Sequence, residues 1–485
     1  MKLEDMKYKI PSTPDFIHEM IHDEVDRQLR QSKTIDFPSG KKRKWSRTSV
    51  AAMVAAFGLA LSAAAYAGVQ LYHLFTEKRG TYGIATGLQT ADTKNITLPE
   101  EVHDIRITTG YIPEGMEWTD ESHLQYSDSK QRGGFSFSSE LIDQDALNHL
   151  IKDDNVVKYE KRSFGGYEGV YLQYHDLKIN KDSPIFNQRI YLLCPEEYRI
   201  ITIFIGNDVS KEDAFKVADH LVITETDKMI KTADMYSWSD VTSDEETESE
   251  APVISEDQLP VLQVGKTFEI SSVGISSGDE LEECTASACV DSVKLSDDLH
   301  LLSQDRIPEA WKTVVDADGR IKDNTLYYIQ SGNGIDTVDK VIKTESVKQK
   351  LVYVTVTYTN NTDRELRHIL YCGTLMLLDH KGGQYQITDP AKLSGTDCDY
   401  VNWNGVSNTE TMAYSDVSED YGNGGNYIPS LAPGKSIQIH MAWIVNENLL
   451  DHLYLNLNGD CNAYAFSDRL TKSGVVDVRP AVSLS

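Results

Sequence analysis

An apolar segment near the N-terminus constrains this chain more than any other feature. Residues Thr48 to Val69 are uncharged and largely apolar, and roughly 20 such residues suffice for a helix to cross a bilayer. The basic cluster Lys41 to Arg47 comes directly before them, so the positive-inside rule places the preceding leader in the cytoplasm. The sequence therefore predicts a lipid-embedded helix over residues 48–72, with a cytoplasmic leader (1–47) and an extracellular remainder.

The same segment has a second interpretation, as a cleaved secretory signal. Ala65-Tyr66-Ala67 has the small residues of a cleavage site. However, the leader is longer than a usual signal n-region, and the apolar run is longer than a usual h-region. These lengths favour an uncleaved anchor in the cell membrane. A mature form that starts near Gly68 would overturn this prediction.

One face of the predicted membrane helix carries a small residue at every fourth position, namely Ala52, Ala56, Ala60, Ala64 and Gly68. Small residues at this spacing allow two membrane helices to pack closely, so the pattern predicts weak homodimer formation. An alanine-rich segment also produces such runs by chance, and the spacing does not separate the two interpretations.

The leader is predicted to form one amphipathic helix. Thr13 is a candidate N-cap, and Pro14 follows at the first helical position. The apolar stripe of this helix consists of Phe16, Ile17, Met20, Ile21, Val25 and Leu29. A leader this short has no core of its own to cover the stripe. The stripe therefore either docks into a groove of a cytoplasmic partner or lies on the membrane surface.

The net charge and the cysteine content limit the classes of function that this chain can have. The net charge of -28 argues against direct nucleic-acid binding, which needs a basic surface. All six cysteines follow the apolar segment, which is typical of a disulfide-forming protein outside the cell. Six cysteines allow many pairings, but Cys284 and Cys289 are close enough in sequence to close a small loop. No cysteine pair has zinc-binding spacing, so neither a metal nor another cofactor is predicted.

The region after the anchor is predicted to begin with a polar stalk over residues 73–97, followed by an α+β domain with an antiparallel sheet over residues 98–228. Its clearest strands run from Gln188 to Cys194 and from Tyr198 to Ile205, on either side of a short turn. Ser210 with Asp213 predicts the start of a helix that ends near Leu221. A second helix is predicted over residues 143–151.

A second domain is predicted after an acidic linker over residues 229–260, whose composition cannot form a core. Residues 261–485 contain short alternating segments, such as Leu351 to Thr359, separated by glycine and proline turns. This pattern indicates a β-sandwich. A long insertion over residues 280–344 has no predicted role.

Two short motifs in the first domain resemble a known family. They are Gly110-Tyr111-Ile112-Pro113-Glu114-Gly115 and Phe164-Gly165-Gly166-Tyr167-Glu168-Gly169. With the sheet and closing helix that follow, they resemble an uncharacterised exterior domain of anti-sigma-like single-pass membrane proteins of Gram-positive bacteria. The resemblance implies that the leader helix binds a sigma factor and that an exterior signal changes this binding. The leader has His18 and His22 but lacks the cysteine of the zinc-binding anti-sigma domain.

The second domain resembles the telokin-like, immunoglobulin-like exterior domains of Gram-positive lipoproteins and membrane proteins. The resemblance rests on the strand that ends in Asn360-Asn361-Thr362, on the turn within Leu378 to Tyr385 and on Ala432-Pro433-Gly434-Lys435. Such domains are mostly interaction modules, so the resemblance implies an exterior ligand or protein partner that the sequence does not identify.

Two motifs suggest chemistry but are predicted to be turns. Gly274 to Gly278 matches the G-x-S-x-G pattern, yet it lies among antiparallel-type strands and not at a strand-to-helix elbow. Asp316 to Gly319 starts like a calcium loop but lacks the later ligands. No catalytic residue is predicted. We therefore expect a multidomain membrane regulator that is not an enzyme; the alternative is an envelope adhesion or binding protein whose leader serves only as an anchor.

Overall fold

The computed structural model describes residues 72–90, 98–127, 133–179, 185–241, 251–278, 280–421 and 424–479. The predicted leader helix and the small-residue face lie outside the described residues, as does all of the predicted membrane helix except Tyr72. No helix within the described residues is long and apolar enough to cross a bilayer. The described chain is mostly antiparallel β-sheet. We call residues 72–241 the first half and residues 251–479 the second half.

The first half is built from strands β1 (Tyr72–Arg79), β2 (Gly83–Thr90), β3 (Glu101–Thr109), β4 (Met116–Trp118), β5 (His123–Tyr126), β6 (Phe135–Leu141), β7 (Leu150–Asp153), β8 (Val156–Phe164), β9 (Tyr167–Tyr174), β10 (Gln188–Cys194), β11 (Arg199–Ile205) and β12 (Leu221–Lys231), and helix α1 (Lys211–Asp219).

A seven-stranded antiparallel sheet, in the order β4-β5-β6-β11-β10-β9-β8, forms the centre of the first half. Both of its faces are buried, because side chains alternate between two cores along each strand. Ile190 and Leu192 point into one core, whereas Tyr191 and Leu193 point into the other. Burial on both faces explains why β10 and β11 are almost continuously apolar, and the hairpin predicted from these residues is confirmed.

Different elements cover the two faces of this sheet. Helix α1 covers one face with Ala214, Val217 and Ala218, beside the β3–β12 pair. Ser210 caps α1, since its Oγ accepts the Asp213 N–H at 3.0 Å, which confirms the predicted helix start. The three-stranded sheet β1-β2-β7 covers the other face.

The β1–β2 hairpin corrects the prediction of a stalk over residues 73–97 in its described part, residues 73–90. Tyr72, Leu74, Ile84 and Leu88 are buried in the second of the two cores. Their alternation is hard to see in the sequence, because glycines, threonines and charged residues separate them. Within the described residues, strand structure is thus present from Tyr72, which the prediction placed at the end of the membrane helix, and it continues where a solvated spacer was expected.

Three further boundaries differ from the prediction. The predicted linker ends before residue 260, because Val253–Ser255 pairs with a strand of the second half and Leu259 is buried. The helix predicted over residues 143–151 is a single 3-10 turn, Ala146–Asn148, followed by strand β7. Residues 229–241, predicted as linker, belong to the first half, because β12 extends to Lys231 and Trp238 is fully buried beside Tyr191. The acidic residues that follow gave this segment its linker-like composition.

The second half is built from strands β13 (Val253–Ser255), β14 (Val261–Gln263), β15 (Thr267–Gly274), β16 (Glu282–Ser296), β17 (Asn324–Gln330), β18 (Lys340–Val347), β19 (Gln349–Thr359), β20 (Leu366–Leu370), β21 (Thr374–Lys381), β22 (Gln384–Ile387), β23 (Tyr400–Trp403), β24 (Tyr414–Ser415), β25 (Glu419–Tyr421), β26 (Gly424–Leu431), β27 (Ser436–Asn446), β28 (Leu453–Asn456) and β29 (Val475–Asp477), and helices α2 (Glu309–Thr313), α3 (Pro390–Leu393) and α4 (Asp468–Ser473).

The core of the second half lies between packed sheets. A five-stranded sheet, β15-β16-β19-β27-β24, contributes Val354 and Val356 of β19 to this core. A six-stranded sheet, β13-β22-β21-β28-β29-β14, contributes Leu375 of β21 and Leu455 of β28. The smaller sheet β20-β26-β25 adds Ile369. The alternation in β19 that predicted one buried face is thus explained by this core.

The predicted insertion over residues 280–344 is partly wrong, since β16 is a central strand that pairs with both β15 and β19. The part of the insertion between β16 and β17 covers the outer face of the five-stranded sheet. Leu299, Trp311 and Ile321 form a cluster there with Leu351 and Ile444. The remaining insertion residues form the β17–β18 hairpin, which joins β23 in a separate three-stranded sheet.

The predicted disulfide between Cys284 and Cys289 is wrong. Both cysteines are free and lie on β16. They are five positions apart, so their side chains point to opposite faces of the strand and cannot meet. The disulfide instead joins Cys372 to Cys461, whose Cα atoms are 5.6 Å apart. It connects the segment before β21 to the segment after β28.

One carboxyl group is buried in the seven-stranded sheet. Glu140 on β6 accepts hydrogen bonds from Ser138 Oγ at 2.6 Å and from Thr202 Oγ1 at 2.8 Å. Burial raises the pKa of Glu140 above its ordinary value of 4.5, because the ionised form loses its hydration. The two hydroxyl groups offset only part of this loss.

We expect Glu140→Gln to stabilise the first half at neutral pH. At pH values between the ordinary carboxyl range and the raised pKa, the folded state keeps a proton that the unfolded chain releases, so wild-type stability falls as the pH rises through this window. Glutamine keeps hydrogen-bonding groups without a charge, and the gain should be on the order of 1 kcal/mol at pH 7. Urea unfolding of both proteins at pH 7 and pH 4 measures it. An equal gain at the two pH values would contradict the titration of Glu140 as its cause.

Candidate functional site

The most distinctive polar feature of the described structure is the junction between the two halves. The loop between β17 and β18, residues 331–339, reaches across to the first half, and we call it the junction loop. The Tyr82 N–H donates to the Ile335 carbonyl oxygen at 2.6 Å, and the Asn155 N–H donates to the Gly334 carbonyl oxygen at 2.7 Å. The junction loop thus contacts the β1–β2 turn and the β7–β8 turn together.

The junction loop is held in shape by its own side chains. Asn333 Oδ1 accepts the backbone N–H groups of Ile335, Asp336 and Thr337 at 3.1, 2.7 and 3.0 Å. Asp339 Oδ1 accepts the Gly332 N–H at 2.9 Å, which fixes the base of the loop. Because these bonds are local, the loop presents its carbonyl groups to the first half in a preformed arrangement.

Two glycines allow the close approach of the halves. Gly80 has a φ of +71°, and a Cβ there would lie 2.9 Å from the Ile335 carbonyl oxygen. Gly334 has a φ of +70°, and a Cβ there would lie 2.9 Å from Asp154 Cβ. Both positions combine a left-handed backbone with a contact that a larger residue would block.

The first half supports its side of the junction with a buried polar network. Asp153, which directly precedes the β7–β8 turn, accepts hydrogen bonds from Arg189 Nη1 at 2.9 Å and from Tyr174 Oη at 2.5 Å. Tyr191 Oη donates to the same carboxylate at 3.2 Å. The carboxylate is 3 % exposed, so its three donors are needed to compensate for its burial. The network holds the β7–β8 turn in place beneath the junction loop.

A cavity of about 210 Å³ lies beside the junction loop. Its lining comes from both halves and consists of Asn155, His175, Asp176, Leu177, Ile179, Ile185, Asp339, Tyr400 and Asn402. His175 Nε2 donates to the Asp339 carbonyl oxygen at 3.0 Å, and Tyr400 Oη donates to Asp339 Oδ2 at 2.5 Å. The cavity is smaller than a typical pocket for a drug-sized ligand.

The polar lining groups form hydrogen bonds with their neighbours. Asp176 Oδ2 accepts from the side-chain amides of Asn187 and Asn207 at 3.3 and 3.2 Å. Serine, cysteine and lysine nucleophiles are absent from the described lining residues. No group of metal-ligating side chains occurs within the ranges that the structure describes. The site therefore has the character of an interface between halves.

The junction is polar and limited in strength. The apolar clusters of the first half contain residues of that half alone, and the same is true of the second half. A neutral hydrogen bond contributes about 0.5–1.5 kcal/mol net. The backbone bonds at Tyr82 and Asn155 therefore stabilise the docked arrangement modestly, compared with about 5–15 kcal/mol for the unfolding of a domain.

The motifs that suggested chemistry are turns in the structure. Gly274 to Gly278 ends β15 and leads into β16, with the Ser277 N–H bonded to Glu282 Oε1 at 3.0 Å. Asp316 Oδ1 accepts the N–H groups of Asp318 and Arg320 at 2.9 Å each, so this carboxylate closes its own turn. Both predictions of a turn are confirmed. The leader stripe and the small-residue face lie outside the described residues.

Sequence reasoning did not find the junction. Ser331-Gly332-Asn333-Gly334 has turn-forming residues that indicate a hairpin connection. Nothing in that pattern identifies Gly80 to Tyr82, which lie far away in the sequence, as the contacting turn. The insertion of unpredicted role thus supplies the junction loop.

A comparison with protein families matches residues 106–221 to a domain of unknown function, DUF4367. The match begins within β3 and ends at the first residue of β12, so it includes all seven strands of the seven-stranded sheet and α1. Searches of curated proteins and of solved structures gave no significant match. The matched part of the first half is therefore similar to a family without an assigned activity.

Proposed function

We propose that this chain is a single-pass membrane protein that regulates transcription from the membrane. In this proposal the leader helix holds a sigma factor through Ile17, Met20, Ile21 and Val25, and the two halves lie outside the cell and control this binding. The second half is proposed to be an immunoglobulin-like, telokin-like module that binds an exterior ligand or protein. The resemblance described above suggested this role.

The observation that carries the proposal is that Tyr72, shortly after the apolar segment, already belongs to a buried strand. The apolar segment ends at Val69, and Tyr72 and Leu74 are already buried in the first half. Only two residues therefore separate the proposed anchor from β1. A change in the exterior fold can reach the anchor through this connection without being lost in a flexible stalk. An adhesion protein needs no such direct connection, so the regulatory role is favoured.

The disulfide supports the proposed location. Disulfides persist in oxidising environments and are rare in the cytosol. Cys372 is fully buried, and its bond to Cys461 links segments 89 residues apart within the second half. The second half is thus suited to the exterior, on the opposite side of the membrane from the cysteine-free leader.

We expect the tagged full-length protein to retain a sigma factor that mass spectrometry identifies. Ile21→Asp combined with Val25→Asp should abolish its recovery and activate sigma-dependent transcription, because two charges on the apolar stripe prevent docking. Glu19 lies off the predicted stripe, so Glu19→Ala should change neither the recovery of the sigma factor nor transcription.

If the double variant leaves sigma-factor recovery and transcription unchanged, the regulatory proposal is wrong. The chain would then act as an exterior adhesion or envelope-binding protein, for which the leader is only an anchor. Surface labelling of residues in the second half on intact cells tests the shared topology separately.

A further inference from the structure

The junction has a structure that permits release without unfolding. Each half keeps its own apolar cores, so separation of the halves uncovers no shared core. Asn333 closes the junction loop with three local hydrogen bonds, and these remain when the loop leaves the first half. Separation of the halves breaks the hydrogen bonds that cross the junction, above all the two bonds from the Tyr82 and Asn155 amides.

The junction also lies on the path to the proposed anchor. Tyr82 belongs to the turn between β1 and β2, and β1 is the first strand after the apolar segment. The Tyr82 N–H donates to Ile335, while its carbonyl oxygen accepts the Val156 N–H at 2.6 Å. This single residue therefore ties the β1–β2 turn to the junction loop and to β8.

We propose that the junction loop is a releasable latch through which the second half controls the β1–β2 hairpin. In the latched state, Ile335 and Gly334 hold the β1–β2 and β7–β8 turns together. In the released state, the β1–β2 turn loses its bond to Ile335 and keeps the bond from the Val156 N–H, and the hairpin becomes more mobile. This inference rests on the proposed function for its biological role, since the hairpin matters for signalling only if β1 follows a membrane anchor.

Glycine substitutions provide a matched test. Gly80→Ala and Gly334→Ala each add a Cβ that would meet the opposite half at 2.9 Å. Gly166→Ala in the first half and Gly278→Ala in the second are controls, because these glycines also have positive φ values, +101° and +76°, but no atom within 4 Å of the added Cβ. The controls therefore share the backbone strain and lack the clash.

Hydrogen exchange of the full-length protein in lipid nanodiscs measures the latch directly. We expect Gly80→Ala and Gly334→Ala to accelerate exchange of the Tyr82 and Asn155 amides by at least about tenfold. Exchange along β1 and β2 should also increase, while β10 and β19 stay protected and show that both halves are folded. Gly166→Ala and Gly278→Ala should leave the junction amides as slow as in the wild type.

Two results would overturn the latch. One is slow exchange at Tyr82 and Asn155 in both clashing variants, and the other is rapid exchange at these amides with β1 and β2 unchanged. Sigma-dependent transcription in the same variants is a separate measurement. If exchange increases as expected while transcription is constant, the latch is supported and the proposed regulatory function fails.

Discussion

Replacing Trp238 with alanine should destabilise the first half by about 3–5 kcal/mol, the range found for truncation of large buried aromatic residues. Trp238 is fully buried, and its ring meets that of Tyr191 edge to face at a centroid distance of 5.4 Å. It lies beyond β12, so its loss leaves every strand of the seven-stranded sheet intact. The cavity would open in the core that also holds the β1–β2 hairpin.

Tyr236 is the matched control for this substitution. It lies two residues away and is 58 % exposed, so Tyr236→Ala should cost less than about 1 kcal/mol. Urea-dependent hydrogen exchange of the β10 and β11 amides reports the stability of the first half alone. If both variants have the stability of the wild type, the segment around Trp238 is not part of the first half, and the linker begins earlier, as its composition predicted.

Trp238 lies in a segment that the sequence pattern wrongly assigned to the linker. The strands β10 and β11 were predictable because burial on both faces makes them continuously apolar. Helix α1 was predictable because Ser210 gives a local capping signal that needs no distant contact. A lone tryptophan among serines and aspartates gives no such periodic signal, and its burial depends on a core formed by residues far away in the chain.

The β1–β2 hairpin and the junction could not be predicted from the sequence for a related reason. Strand β1 carries three charged residues and a histidine on a short stretch, so only its pairing with β2 shows which side chains point inward. The contact of Tyr82 with Ile335 requires the fold of both halves to exist first. Local patterns thus predicted β10, β11 and α1, whereas the strands that begin at Tyr72 and the contact between the halves came only from the structure.

The disulfide pairing also could not be predicted from local sequence patterns. It leads to the second prediction of a large loss of stability. The sequence allowed a bond between the neighbours Cys284 and Cys289 without choosing among the pairings, but strand geometry separates these two, and the bond forms across 89 residues. A cross-link over a long loop restricts the unfolded chain more than a short one does. The pair that is distant in sequence is therefore also the more stabilising pair.

Replacing Cys372 and Cys461 together by alanine should lower the stability of the second half by about 2–5 kcal/mol. Cys398→Ser is the control, since Cys398 is free and partly exposed. Urea unfolding with and without dithiothreitol isolates the cross-link, because reductant should destabilise the wild type and the control but not the double variant. If reductant leaves the wild type unaffected, the disulfide does not form in the protein, and the proposed exterior location loses its chemical support. If the expected dependence is found, a second half retained in the reducing cytosol would lack this stabilisation, so full stability would require export across the membrane.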